Sequence, residues 1–340
     1  MSGNEEFDYL IDYFFQGKSQ TLVYQGKSGY NNTTRYLEKN KKKYILRIYE
    51  THNEESKVKL EHEVLLKLNQ LEDLPFSVPS PVIKDGVSLL RLPSSKKIGC
   101  IYHYIEGDNP VFNSEKVLSS FGKSAGYLLQ ALNKIELQQP FIYRPYYEIE
   151  YAHPKCPISK VVEWCSKPSK EFIDFQKELS WISSQLVDFK KSVPQLQKLP
   201  HQIIHGDLNE SNVLVGPDQH INAILDFEFT TRDLRIMEVA VCISEIISKE
   251  GKETIYLDKL HHFFLGLATT MKLMDSEIEA LPVLVLLRRL DVFIHFLGRY
   301  LDGIDDSSVL KEQIGKTAAY EDWIDGGGRK LARLWENVNR

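Results

Sequence analysis

Between residues 201 and 228 the chain changes character. Ile203-Ile204 leads into His205-Gly206-Asp207-Leu208-Asn209-Glu210-Ser211-Asn212, and two apolar runs follow, 213–215 and 221–225, separated by Gly216-Pro217-Asp218. Short runs of branched apolar residues read as strands, and Gly-Pro-Asp reads as a turn, so the two runs are expected to pair as a hairpin. A hairpin brings its outer ends together. Here those ends are Asn212, just before the first strand, and Asp226, just after the second, with Asp207 on the loop leading in. Two carboxylates and one amide oxygen then converge at one mouth in an otherwise hydrophobic stretch. Like charges repel in low dielectric, and a hard divalent cation with oxygen ligands removes that cost. Magnesium commonly takes one or two carboxylates plus substrate phosphates, which leaves one carboxylate to accept a proton. A metal on the phosphates and a base beside an attacking hydroxyl are what phosphoryl transfer requires.

The rest of the composition narrows the alternatives. The 340 residues are 42% hydrophobic and 26% charged, enough apolar material for a large core in two domains or two lobes. Net charge is -5, and the longest basic run is Lys41-Lys42-Lys43, so nucleic acid is not an expected ligand. Cys100, Cys156, Cys165 and Cys242 form no C-x-x-C pair and fit no common zinc spacing, so free thiols in a reducing compartment are expected. The first twenty residues have acidic groups and no apolar signal core. The apolar run 281–287 is followed at once by Arg288, Arg289 and Asp291, too soon to span a bilayer. A cytoplasmic chain without a membrane partner is expected.

The first hundred residues alternate helix and strand signals. Residues 5–15 read as a short amphipathic helix, 21–24 and 34–37 as strands, and 44–49 as a strand rich in aromatic and branched residues. Residues 54–71 have helical spacing, with Val58, Glu61, Val64, Leu65 and Leu68 on one face. Two further strands are expected near 86–92 and 98–105, and Glu106-Gly107-Asp108-Asn109-Pro110 breaks the pattern. The expected division is a nucleotide-binding lobe at 1–105 and a helical lobe at 106–340. In the second lobe, helices are expected at 117–132, 170–193, 238–249, 254–274 and 277–301, the last with Pro282 in its first turn.

The island at 201–228 resembles the aminoglycoside phosphotransferase and choline kinase-like superfamily. His205-Gly206-Asp207-x-x-x-x-Asn212 looks like its catalytic loop, and Ile224-Leu225-Asp226-Phe227-Glu228 looks like its metal-binding strand end. The resemblance implies an α+β, protein-kinase-like bilobal fold: an antiparallel sheet with one helix in the N-lobe and a mostly helical C-lobe. It implies ATP and Mg2+ as cofactors, Asp207 as catalytic base, and Asn212 and Asp226 as metal ligands. Residues 25–33 sit where the family covers the phosphates, which makes Gly26, Gly29 and Asn32 candidates. Arg47 stands where kinases keep a phosphate-contacting lysine. Its helix partner is Glu61 or Glu63. Glu61 lies on the apolar face, where an acid needs a cation, and is preferred. Tyr104 and Ile105 match the hinge whose main chain would hold adenine. Glu238 replaces the family's usual aspartate as a structural acceptor, and His205 is expected to order the loop.

A protein kinase would carry His-Arg-Asp, Asp-Phe-Gly and a later Ala-Pro-Glu. This chain has Gly206 and Glu228 at the variable positions and no Ala-Pro-Glu, so a small-molecule hydroxyl is the expected acceptor. Asp226-Phe227-Glu228-Phe229 and Glu279-Ala280-Leu281-Pro282 resemble the homoserine kinase-like branch, which includes amicoumacin kinases. Glu210, Glu228, Asp233, Tyr151 and Trp323 are candidates for the acceptor side, where acids would favour an amine. The alternative reading is a catalytically weak nucleotide-binding scaffold. The acceptor, ATP against GTP, and the oligomeric state stay open.

Overall fold

The apolar periodicities become, in chain order, α1 (Asn4–Phe15), β1 (Thr21–Gln25), β2 (Asn32–Lys39), β3 (Lys42–Tyr49), α2 (Glu55–Leu68), β4 (Leu89–Arg91) and β5 (Ile98–His103). There follow α3 (Glu115–Leu132), α4 (Ile158–Ser166), α5 (Gln176–Phe189), α6 (Val193–Leu196), β6 (His201–Ile204), β7 (Val213–Val215), β8 (Ile221–Ile224) and β9 (Thr231–Leu234). The chain ends in α7 (Arg235–Ser248), α8 (Glu253–Ala268), α9 (Asp275–Leu301), α10 (Ser307–Ala318) and α11 (Glu321–Val338). This is a computed structural model that describes residues 4–17, 21–25, 32–50, 54–250 and 252–338. No described helix is long and apolar enough to cross a membrane.

Two compact units divide the chain. The first takes Met1–Asn109, Lys134–Ile142 and Asn212–Phe229. Its antiparallel sheet has the order β1-β2-β3-β5-β4. β2 and β3 turn over at Asn40 and Lys41, whose φ values of 51° and 63° suit a two-residue loop that follows the strand twist. Phe7, Leu10, Ile11 and Phe14 of α1 pack with Leu37, Leu46, Ile48 and Ile101 of the sheet, each burial contributing about 1.5–3 kcal/mol. The expected face of α2 is the buried one, Glu61 included. β7 and β8 pair in the register Val213↔Ile224 and Leu214↔Ala223, as the hairpin reading expects. They belong to this unit, tied to it by Ser77 N to Asn222 O at 2.8 Å and Ile224 N to Ser77 O at 3.0 Å.

The second unit takes Pro110–Asn133, Tyr143–Ser211 and Thr230–Arg340. It holds the remaining helices and a two-stranded pair, β6 with β9. α3 and α8 cross at backbone distance. A Cβ on Gly266 would lie 1.8 Å from Ser119 O, and one on Gly122 would lie 1.9 Å from Phe263 O. Three helix expectations shift. Residues 170–193 divide into a 3-10 turn, Lys170–Phe175, followed by α5. α7 begins at Arg235, directly from β9. α9 begins at Asp275, where Glu277 accepts from Met274 N at 2.8 Å and so sets the helix start. Pro282 therefore lies inside α9 and not in its first turn.

Candidate active site

In the first unit the site is built on the middle of β3. Side chains alternate along a strand, and Arg47 lies between buried Leu46 and Ile48. Its Nη1 is 3.4 Å from Glu61 Oε1 and 3.4 Å from Asp226 Oδ1. Glu63 faces elsewhere and accepts from Gln138 N at 2.7 Å and Gln139 N at 2.9 Å. Behind Arg47 stands a buried polar ladder. Tyr49 Oη donates to Glu61 Oε2 at 2.7 Å and lies 2.9 Å from Tyr102 Oη, which lies 3.0 Å from His62 Nε2. Burial opposes the Arg47 charge, but Asp226, the tyrosines and Glu61 outweigh it and raise its pKa. Burial pushes the Glu61 carboxyl up to about 7 against the pull of Arg47.

The hairpin delivers Asp226 to this cation. Leu225 N donates to Asn212 O at 2.8 Å, so Asn212 and Asp226 stand side by side at the open end. Asp226 has a φ of 64°, a left-handed conformation that a non-glycine residue adopts at a cost of about 1 kcal/mol and that aspartate tolerates best. Strain of this kind concentrates at functional positions. Asn32, the first residue of β2, donates through Nδ2 to Glu228 Oε2 at 3.3 Å. A cofactor-side candidate and a substrate-side candidate thus engage each other. Tyr104 N donates to Lys43 O at 3.2 Å as β5 ends, and Tyr104 and Ile105 are half-buried. Gly26 and Gly29 lie outside the described residues.

Asp207 belongs to the second unit. Its loop is held from several directions. Glu238 Oε2, on α7, accepts from His205 N at 2.5 Å and Gly206 N at 3.1 Å, which is the structural role expected of it. Burial raises the Glu238 pKa. Gly206 has a φ of 82°, which a side chain would resist. Asp207 N donates to His205 Nδ1 at 3.2 Å, and Asn209 Nδ2 donates to Asp207 O at 3.0 Å. The carboxylate itself is paired with Arg288 of α9. Arg288 Nη1 also donates to Tyr146 Oη at 2.7 Å and lies 3.5 Å from Asp291 Oδ2.

The sequence pattern does not place Arg288 and Asp291 beside Asp207. The available signal was a charged cluster in a long apolar helix. The neighbouring Arg289 turns away and donates to Gln313 and Thr317 of α10. Of the acceptor-side candidates, Glu210 accepts from Phe112 N at 3.2 Å and pairs with Lys249. Asp233 is fully buried and accepts from Tyr146 N at 2.5 Å and Leu234 N at 2.6 Å. Trp323 is buried beside Tyr256, while Tyr151 is exposed beneath Arg144 at 4.0 Å.

Residues 25–273, most of the chain, match the APH phosphotransferase enzyme family. The chain belongs to this family. Members of the APH family are small-molecule kinases, and this chain is an enzyme of that class. Three solved structures share the fold of this APH-family chain across nearly its whole length. A microcompartment-associated aminopropanol kinase aligns with a TM-score of 0.69 at 15% identity, covering 96% of this chain and 98% of the other. An amicoumacin kinase in complex with AMP-PNP and Ca2+ gives 0.63 at 14% identity, covering 94% and 97%. Choline kinase from Cryptosporidium parvum gives 0.61 at 15% identity, covering 99% and 100%. These likenesses establish a protein-kinase-like α+β fold. A homoserine kinase from Bradyrhizobium is 34% identical over 86 residues, so the match spans about a quarter of that curated relative and 25% of this chain.

Proposed function

We propose that this APH-family chain transfers the terminal phosphoryl group of ATP, with Mg2+, to a hydroxyl of a small amine-bearing molecule. The observation that carries the reading is the grouping of Arg47, Glu61 and Asp226, with Asn212 beside Asp226 at the hairpin end. In this reading Arg47 holds phosphate oxygens and Glu61 keeps the guanidinium aimed. Asp226 and Asn212 offer only hard oxygen donors, which suits magnesium. Among the described residues no three His, Cys, Asp or Glu side chains form a metal cage, and a metal shared with phosphates and water needs none. When bound, the ion neutralises charge on the phosphates. Tyr104 and Ile105 offer main-chain groups to adenine, with Gly26, Gly29 and Asn32 near the phosphates. Asp207 takes the proton of the acceptor hydroxyl as that oxygen bonds to phosphorus and ADP leaves. Choline and aminopropanol in the neighbours' names make amino alcohols the first acceptors to try.

The test is phosphate transfer from ATP and Mg2+ to pooled amino alcohols, homoserine and amicoumacin-type antibiotics. Asp207→Asn should lower kcat by roughly 100- to 10,000-fold. Asp226→Ala should lose metal-dependent turnover while its circular dichroism stays native. Wild-type turnover in the first variant would remove the base assignment, and in the second the metal assignment.

A further inference from the structure

Arg288 sits in the middle of α9, far along the chain from the loop that carries Asp207, yet it closes a ring of polar contacts on that loop. Tyr146 Oη donates to Gly206 O at 2.6 Å and accepts from Arg288 Nη1 at 2.7 Å. The same guanidinium donates through Nη2 to Asp207 Oδ1. Two consecutive residues are therefore gripped at once, Gly206 by its carbonyl and Asp207 by its carboxylate. Asp291, one turn along α9, lies 3.5 Å from Nη1 and braces the guanidinium from its own helix. The guanidinium is planar and presents donors in a rigid fork, so it sets a direction as well as a charge.

We propose that Arg288, with Tyr146 as its intermediary, is a positioning residue that sets the plane of the Asp207 carboxylate for proton abstraction. The inference rests on the reading of Asp207 as the base. A carboxylate on a short loop can rotate about χ1 and χ2. Fixing one oxygen against a fork and the preceding carbonyl against a hydroxyl removes that freedom. A displacement of about 1 Å at a reacting group can lower a rate by about 100-fold, so the ring is worth that order of effect. Charge fits the same role. Asp207, Asp291 and Glu238 are three acids packed in this unit, and Arg288 is the cation that meets two of them directly. Burial works against its charge, and Tyr146, Asp207 and Asp291 outweigh that and raise its pKa.

The experiment compares Arg288→Ala, Arg288→Lys, Tyr146→Phe and Asp207→Asn. The readouts are Mg2+-ATP hydrolysis with water as acceptor, transfer to the amino alcohol pool, and a crystal structure of Arg288→Ala. We expect Arg288→Ala to lower kcat by about 100-fold with little change in KM for ATP, and low millimolar guanidinium to restore part of it. Arg288→Lys should retain more activity than Arg288→Ala, and Tyr146→Phe should lose about 10-fold, one loosened contact out of the ring. The crystal structure should show the Asp207 carboxylate rotated. If Asp207→Asn is inactive while Arg288→Ala turns over normally, or keeps the carboxylate direction unchanged, the positioning role is wrong and the base assignment survives. A loss confined to acceptor KM would make Arg288 a substrate-binding residue and also overturn the proposal. Full activity in Asp207→Asn overturns the base assignment and the positioning role with it.

Discussion

Glu238 illustrates how one buried side chain holds a loop in place. Its Oε2 takes two main-chain N–H groups, those of His205 and Gly206, while its Oε1 has no hydrogen-bond partner among the described residues. Removing the acceptor leaves both donors unsatisfied in a fully buried place, at about 1–3 kcal/mol each. Glu238→Ala should therefore lose about 2–6 kcal/mol in urea unfolding, whereas Glu238→Gln keeps an acceptor oxygen and should lose less than half as much. Equal losses in the two variants would mean that the hydrogen bonds are not what the residue contributes. The Glu238 side chain reaches the loop from α7 and meets two consecutive N–H groups with one oxygen.

At the scale of elements, β9 and the α3–α8 crossing carry distinct stability signatures. Burial pushes the Asp233 carboxyl on β9 from an ordinary 3.8 up to about 7, against the two main-chain donors that favour its charge. The folded state thus binds the proton more tightly than the unfolded state. The stabilisation linked to that proton is fully present below pH 3.8 and is lost as the pH rises toward about 7. The stability of the wild type minus that of Asp233→Asn should therefore fall between about pH 4 and pH 7 and level off above. A difference that is flat across this window would show that Asp233 is ionised in the fold. At the helix crossing, a methyl on Gly266 meets the backbone of Ser119, which cannot swing aside. Gly266→Ala should lower the thermal midpoint by about 2–4 °C, because overpacking typically costs about 1–3 kcal/mol and backbone must move here. An unchanged midpoint would mean the helices can part freely.

For the whole molecule, the proposed reading makes ligand binding a stability measurement. A nucleotide that binds only the folded chain stabilises it by about 2.7 kcal/mol at a hundred times its Kd. ATP with Mg2+ should raise the Tm in a concentration-dependent way, and ATP with EDTA should raise it less. In Asp226→Ala the two conditions should give the same Tm, since the variant removes the carboxylate assigned to the ion. A Tm in the wild type that ignores Mg2+ would separate nucleotide binding from the metal assignment.

Much of this was present in local sequence pattern. The hairpin at 213–225, the amphipathic face of α2 with Glu61 on it, and the Asp207-to-Asn212 spacing follow from strand and helix periodicities, turn residues and adjacency along the chain. Those are short-range properties, decided by sterics and burial within a few residues. The partner of Asp207 was of another kind. Arg288 is 81 positions away in a helix whose apolar stripe reads as core, and nothing in the local pattern says which acid it meets. The same holds for the placement of the β7–β8 hairpin with the β-sheet unit, through Ser77 and Asp108, and for the capture of Glu210, Glu228 and Asp233 by internal donors. α9 starts two residues before the expected 277, at Asp275, where Glu277 accepts from Met274 N. The chain's own order singled out the residues proposed for the chemistry. Only packing between distant segments decided which cations hold them, since a charge buried in the core takes whichever opposite charge the fold brings within reach.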